Sequence, residues 1–583
     1  MTAEELKKKT KTELISALKD CREQLNSLKD ERDLGIFWEE KTENVQELCK
    51  KKLPTIKENK IKQILTKNDS STNILIEGDN YHALSVLNYT HKGRIDVIYI
   101  DPPYNTGAKD WKYNNNYVTL EDDYRHSKWL SFMDKRLRLA KNLLAKDGII
   151  CCTIDDNELP KLWLLMEKIF DEKHFLGTAV IRNNPGGRKR KKQLALQHEY
   201  ALFFSISDST NVKEIIIYPE DKTHNFKKDK KTDKYFETRN LRKDGVDSLL
   251  TIKNKKYHYP IYYDPKTKKL STTKKYKIKI LPINTDNQKV IWRRAKEKIE
   301  KMYKNDEISV RNSKKYGWQI DFKYWWNGKG ETPKTIWDKN TFSAGDYGTK
   351  ILKEILGERE SFPYPKSPFA TAECIKAASD KKDAVILDFF GGSGTTGHAV
   401  LELNKEDGGN RKFILCTNNE NNICTQVCYP RIKKVMNGYT NSKKKKIKGL
   451  GGNLKYFKTD FVDAKNNRGN IKKLAQASTE MLCLKEDCFD LKEKKKDFRA
   501  FGNPSGKIMC IIDDYPGLKP CIAFVNKIKS KIPQDEKINV YEFSLGNSMY
   551  QADFDKAGLG EDLVNLIPFP TGIRHTYEKV SSN

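Results

Sequence analysis

Two short motifs nearly three hundred residues apart, each placed where an apolar run ends, constrain this chain more than any other feature. Asp96-Val97-Ile98-Tyr99-Ile100 leads into Asp101-Pro102-Pro103-Tyr104, and Ala384-Val385-Ile386-Leu387 leads into Asp388-Phe389-Phe390-Gly391-Gly392-Ser393-Gly394. Short continuous apolar runs read as strands buried on both faces, and a turn that opens a helix at such a strand's end is a βα unit. The same rhythm recurs on both sides. Asn73–Glu77 reads as a strand, Gly78-Asp79-Asn80 as a turn and Tyr81–Asn88 as a helix; Arg94–Ile100, Gly148–Ile154 and Glu199–Ile206 read as further strands, and Lys128–Ala145 as a helix. Alternation of this kind predicts an α/β fold with a doubly wound, mainly parallel sheet.

At 583 residues the chain exceeds what one hydrophobic core supports, and shifts in composition mark its divisions. Residues 1–70 read as a helical segment and linker, with Leu14, Leu18, Cys21, Leu25 and Leu28 on one helical stripe and a lysine-rich stretch after it. Residues 71–207 carry the first α/β portion. Over 208–345 the rhythm stops, and lysine-rich tracts separate aromatic segments such as Trp325-Trp326 in a β-rich or mixed insertion. The rhythm resumes over 346–465, and 466–583 read as a last α/β domain.

The net charge of +30 points to a polyanion such as nucleic acid, bound through phosphate neutralisation. Basic clusters such as Arg188-Lys189-Arg190-Lys191-Lys192 are uneven along the chain, which favours that reading over a general lysine bias. The twelve cysteines match no zinc spacing, so no metal is expected and the thiols read as reduced. There is neither an apolar signal core nor a long apolar run, so the expectation is a cytoplasmic protein without membrane contact.

The chemistry lies in the two motifs. Two prolines fix φ and remove two donors, so Asp101 and the Pro102 carbonyl can face one side as paired acceptors. An exocyclic amine offers the two matching donors, and Tyr104 offers a face on which a base can stack. The glycine turn at 391–394 lets backbone N–H groups approach a ligand at a helix start. It is neither a P-loop nor a good dinucleotide fingerprint, because no Lys-Ser/Thr pair closes it and its third glycine is misplaced.

Taken together, these motifs resemble the β-class amino-methyltransferases of DNA, and most closely the modification (Mod) subunits of type III restriction–modification systems. Trp129-Leu130-Ser131-Phe132-Met133, Ile154-Asp155-Asp156-Asn157-Glu158, His198-Glu199-Tyr200, Phe362-Pro363-Tyr364-Pro365-Lys366, and Thr417-Asn418-Asn419-Glu420-Asn421 with Tyr429-Pro430-Arg431-Ile432 carry the resemblance over about 73–465. It implies a Rossmann-like, circularly permuted methyltransferase dependent on S-adenosyl-L-methionine, with a target-recognition domain inserted at 208–345 and additions at both ends. The implied reaction is methylation of N6 of an adenine flipped out of double-stranded DNA. By the same resemblance Asp101, Pro102, Pro103 and Tyr104 hold the adenine. Gly392, Gly394 and Thr395 contact the methionine part of the cofactor, with Asp388 and Phe390 beside them. Glu420 binds the ribose and Asp79 meets the cofactor's adenine ring, a role for which Asp460 competes. Lys366 either approaches the cofactor carboxylate or lies on the surface.

A homodimer, a restriction subunit with helicase and nuclease functions, a role of 466–583 in dimerisation or partner contact, and a nucleoid-associated place in the bacterial cytoplasm follow from the resemblance. Cytosine-N4 methylation needs the same cup, and Asp rather than Ser at position 101 leans toward adenine. A catalytically silent nucleic-acid-binding relative is the third reading, against which the intact Asp101, Tyr104 and Gly394 stand.

Overall fold

The computed structural model describes residues 38–66, 72–190, 193–216, 226–314, 317–357, 362–465, 467–532, 536–544 and 548–582. The leucine stripe expected between Leu14 and Leu28 lies outside these residues. The described residues form two compact units: one gathers those up to Lys213 and from Pro333 onward, and the other is Glu214–Thr332.

A ten-stranded sheet organises the first unit. Its strands are β1 (Lys52–Glu58), β2 (Thr72–Glu77), β3 (Ile95–Ile100), β4 (Leu144–Ile154), β5 (Phe175–Ile181), β6 (Glu199–Ser205), β7 (Ile336–Trp337), β8 (Val385–Asp388), β9 (Lys412–Thr417) and β10 (Asn453–Asp463). Across the sheet they run β1-β10-β2-β9-β8-β3-β4-β6-β5-β7. From β10 to β4 every neighbouring pair is parallel, while β1 on β10, β6 on β4 and β5 on β6 are antiparallel. The fold is thus mixed α/β with a mainly parallel sheet. The central strands are buried on both faces: Ile95, Val97, Ile98 and Ile100 of β3 and Ile386 and Leu387 of β8 are fully covered. Each such side chain contributes about 1.5–3 kcal/mol of burial, and Ile98→Asp would break the sheet at its centre. Polar side chains fix the register. Asp96 Oδ2 accepts from the Val385 N–H at 2.8 Å, and Asn73 accepts from Phe413 N and donates to Asn453 O.

The helices used below are α1 (Asn44–Lys51), α2 (Asn80–Thr90), α3 (Arg125–Lys141), α4 (Pro368–Ala378), α5 (Thr395–Asp407), α6 (Tyr429–Asn437) and α7 (Thr571–Ser582). Two expectations change. Part of the stretch read as linker is the edge strand β1, where Pro54 is tolerated because an edge position need not supply its N–H to the ladder. The helix expected to run to Ala145 ends at Lys141, and β4 starts earlier than expected, at Leu144, which pairs with Ile95.

The end of the chain builds a five-stranded sheet from Asp490–Lys495, Phe498–Gly502, Ile508–Ile512, Ile538–Ser544 and Val564–Pro570. Its last helix, α7, packs on α2, and the Tyr577 hydroxyl donates to the Pro54 carbonyl at 2.5 Å. The second unit lies within the span read as an insertion. It holds a four-stranded and a three-stranded sheet and a helix at Lys296–Lys304, around a core of Leu241, Ile261, Trp292, Ile299, Ile320 and Phe322. Among the described residues, no helix is long and apolar enough to cross a membrane.

Candidate functional site

Because β2, β9, β8 and β3 are parallel neighbours, their C-terminal ends share one edge of the sheet. Asp79, Glu420 and Asp101 follow the ends of β2, β9 and β3, and Asp388 is the last residue of β8, the place where ligands of open α/β sheets bind. The antiparallel strand β6 brings its first residue, Glu199, to the same edge, since Tyr200 pairs with Ile154 at the end of β4.

Around Asp101 a charged cluster closes. Thr153 Oγ1 donates to Asp101 Oδ1 at 2.7 Å, and Lys366 Nζ lies 3.2 Å from the same oxygen. Lys366 also donates to Glu199 Oε2 and to the Tyr104 hydroxyl, and its ammonium sits 4.5 Å from the centre of the Tyr104 ring. Tyr104 in turn donates to Glu199 Oε2 at 3.1 Å, and Asn183 Nδ2 reaches the same oxygen at 2.6 Å. Burial works against the Lys366 cation, but the carboxylates of Asp101 and Glu199 outweigh it and hold the ammonium above the usual lysine range. Burial pushes the Glu199 carboxyl up against the opposing pull of Lys366. It also pushes the Tyr104 phenol well up, so Tyr104 remains a donor at neutral pH. Pro102 is buried, and the Pro103 carbonyl accepts from Trp129 Nε1 at 2.7 Å, which pins the turn to α3.

The glycine turn is held from within. Asp388 Oδ1 accepts from the Phe390 N–H at 2.9 Å and Oδ2 from the Thr396 hydroxyl at 2.5 Å, and burial pushes its carboxyl up to about 7. Gly392 (φ +47°) and Gly394 (φ +77°) adopt the left-handed backbone; a Cβ at Gly394 would also press on Cys428 Sγ at 3.1 Å. The Thr395 hydroxyl faces inward: Arg431 Nη1 donates to it at 2.8 Å and to Ser393 Oγ at 3.0 Å. Arg431 is fully buried, and burial lowers its guanidinium to about 10.

Helix α3 joins the two turns. Besides Trp129, its Phe132 ring lies 5.8 Å from the ring of Phe390. Its buried Arg136 makes a two-pronged pair with Glu43 at 2.7 and 2.9 Å, donates to Asn80 Oδ1 at 2.5 Å and lies 3.4 Å from Asp79 Oδ1. Asp79 caps α2 by accepting from the Tyr81 N–H at 2.8 Å, and Asn80 donates to the Phe389 carbonyl at 3.1 Å. Asp79 therefore sits beside the glycine turn. Asp460, by contrast, lies exposed on β10, where its carboxylate accepts from the N–H of the next residue, Phe461, at 2.9 Å. Glu420 is paired with Lys112 Nζ at 2.5 Å, a lysine carried by the hairpin after the Pro-Pro turn.

Acceptors and donors along this edge fit an adenosyl sulfonium cofactor. The carboxylates of Asp79 and Glu420 suit amino and hydroxyl groups, and the N–H groups at the start of α5 suit a carboxylate. Sequence reasoning assigned no role to Glu199, Thr153, Arg136 or Arg431. For Glu199 a signal existed, a charge at the head of the otherwise apolar run Tyr200-Ala201-Leu202-Phe203-Phe204.

The family model for N6 and N4 DNA methylases matches residues 95–427. The type II methyltransferase M.KpnI of Klebsiella pneumoniae is 32% identical over 405 residues, which span 68% of this chain and 92% of that protein. The StyLTI Mod subunit, a type III restriction–modification enzyme of Salmonella typhimurium, is 30% identical over 374 residues, 60% of this chain and 53% of that one. The chain thus spans about half the length of that Mod subunit. Among solved structures, PvuII DNA methyltransferase (cytosine-N4-specific) aligns over 63% of this chain and 87% of its own, with a TM-score of 0.32 and 12% identity.

Proposed function

Because the chain belongs to the N6/N4 DNA methylase family, we propose that it methylates N6 of an adenine flipped out of duplex DNA, using S-adenosyl-L-methionine. The observation that carries this reading is the placement of the Asp101 turn and the glycine turn at the ends of adjacent parallel strands, with α3 bound to both. Asp101 and the Pro102 carbonyl accept the two N6 hydrogens, which turns the nitrogen lone pair toward the cofactor side. Thr153 and Lys366 hold the Asp101 carboxylate in place. Tyr104 stacks on the base with the Lys366 ammonium near its ring.

The cofactor supplies a methyl group on a sulfonium. Gly392, Gly394, Phe390 and the start of α5 would hold its methionine part, Glu420 its ribose, in exchange for Lys112, and Asp79 its adenine edge. On gaining the methyl group, whose bond to sulfur breaks and leaves a neutral thioether, N6 would become cationic and would give up a proton toward Asp101. Catalysis is then chiefly positioning and exclusion of water. Asp388 acts behind the turn through the Phe390 N–H that it holds, and the Thr395 hydroxyl is held from behind by Arg431.

Unit Glu214–Thr332 reads the DNA. It carries a cleft of about 450 Å³ lined by Arg239, Trp292, Arg293, Arg294 and Tyr324, among others, with the Arg239 guanidinium 3.7 Å from the Tyr324 ring centre. Such cation–aromatic surfaces suit phosphates and bases. In this reading the chain is the modification component of a type III-like system, works as a homodimer beside a restriction subunit, and its glycine turn belongs to 346–465, the cofactor-binding half of a circularly permuted Rossmann-like core.

The test is modification-aware sequencing of DNA from cells producing the wild type or Asp101→Ala. N6-methyladenine at one recurring sequence is expected with the wild type and its loss with the variant. N4-methylcytosine instead would overturn the choice of base, and unchanged methylation in the variant would overturn the role of Asp101.

A further inference from the structure

A single exposed leucine is ordinary on a protein surface; the setting of Leu194 is not. It is 93% exposed and lies in a short hairpin, Arg188–Arg190 paired with Gln193–Leu196; in sequence, Arg188 to Lys192 are five consecutive cations, of which Lys191 and Lys192 lie outside the described residues. Arg188 and Lys189 are exposed beside it or nearly so. The feet of the hairpin stand on the catalytic edge. The Asn184 N–H donates to the Gln197 carbonyl at 3.0 Å, and Gln197 Nε2 to the Pro185 carbonyl at 3.0 Å. Asn183 on one side and Glu199 on the other meet at 2.6 Å, on the same oxygen that accepts from Tyr104. Leu194 is five residues from Glu199, roughly 17 Å of extended chain at most.

Across the same mouth, Tyr364 is 76% exposed two residues before Lys366, and it holds a left-handed backbone (φ +61°) that side-chain-bearing residues rarely adopt. The Arg188 guanidinium lies 5.9 Å from its ring centre. Apolar groups are therefore kept in water among cations, next to a cup that can hold only an extruded base.

We propose that this hairpin enters the duplex beside the target base, with Leu194 filling the place the base vacates and Arg188 and Lys189 holding the flanking phosphates. The inference rests on the base-flipping reading above. A two-stranded ribbon fits the major groove, about 12 Å wide. Extrusion costs stacking and pairing, and an apolar side chain inserted at the gap restores part of that contact.

The experiment uses the full chain and a duplex containing the recognised sequence found by methylome sequencing, with 2-aminopurine at the target position to report unstacking and adenine there for turnover. Leu194→Ala removes a side chain that packs on little, so the fold is expected to stand. The variant should bind the duplex within about threefold of wild type, lose most of the fluorescence rise, and turn over the matched duplex at least tenfold more slowly. A duplex with an abasic site opposite the target needs no wedge and should restore turnover to within about threefold. Wild-type fluorescence and turnover in Leu194→Ala would overturn the proposal, as would a defect of equal size on the abasic duplex. No fluorescence rise with the wild type on its own sequence would instead overturn base flipping itself.

Discussion

Lys366 has the surroundings of an internal counter-ion, with carboxylates of Asp101 and Glu199 on either side and the Tyr104 ring beneath it. In sequence it is a lysine in Tyr364-Pro365-Lys366, for which surface and site were equal readings. Its partners lie 167 and more positions away, so only the packed sheet edge reveals its role. Asp388 shows the reverse: its place after an apolar run was legible, but not that both its oxygens are used inside the turn. Its carboxyl is raised by burial to about 7, against about 4 in an unfolded chain. A raised acid favours folding while it is protonated, and that advantage shrinks as pH climbs from about 4 through 7. The melting temperature of the wild type relative to Asp388→Asn should therefore fall steadily between pH 5 and 7.5, followed by thermal melts in parallel. A gap that does not move with pH would place this carboxyl at its ordinary value.

At the scale of elements, α3 is the part that makes one site of two turns. Its helical character was readable from its periodicity. Its use of Trp129, Phe132 and Arg136 on three different partners was not, because those partners come from the Pro-Pro turn, the glycine turn and the segment before β1. Arg136→Met leaves Glu43, only 5% exposed, without its cation. Breaking a buried pair this way costs about 3–5 kcal/mol. Urea unfolding should show a loss of that order for Arg136→Met and recovery of a large part of it on adding Glu43→Gln, and the single variant should also bind S-adenosylmethionine more weakly. The edge strand β1 was missed for a related reason. Its Leu53-Pro54-Thr55-Ile56 is buried, and its ladder partner β10 and the Tyr577 hydroxyl of α7 both arrive from the far end of the chain.

For the whole molecule, the two units have separate cores, and the second begins and ends in one ladder: Ile215 pairs with Glu331 and Ile216 with Gly330. Paired residues sit about 5 Å apart, so a short Gly-Ser turn replacing 217–329 can join them without strain. Such a chain is expected to fold and to bind S-adenosylmethionine within about threefold of the full protein by calorimetry, while losing site-specific methylation. Loss of cofactor binding would mean that the units depend on one another. By itself the sequence determined the strands that carry the two turns, several of their neighbours in the central sheet, the turns themselves and the class of chemistry they support. These depend on local spacing, on apolar runs and on residues whose backbone limits are intrinsic, such as proline and glycine. Only the tertiary structure decided which charged groups find their partners: Lys366 with Asp101 and Glu199, Arg136 with Glu43, and Arg431 with the hydroxyls of Ser393 and Thr395. An ion pair has no periodicity in sequence, and a buried charge becomes tolerable only where the folded sheet delivers its partner.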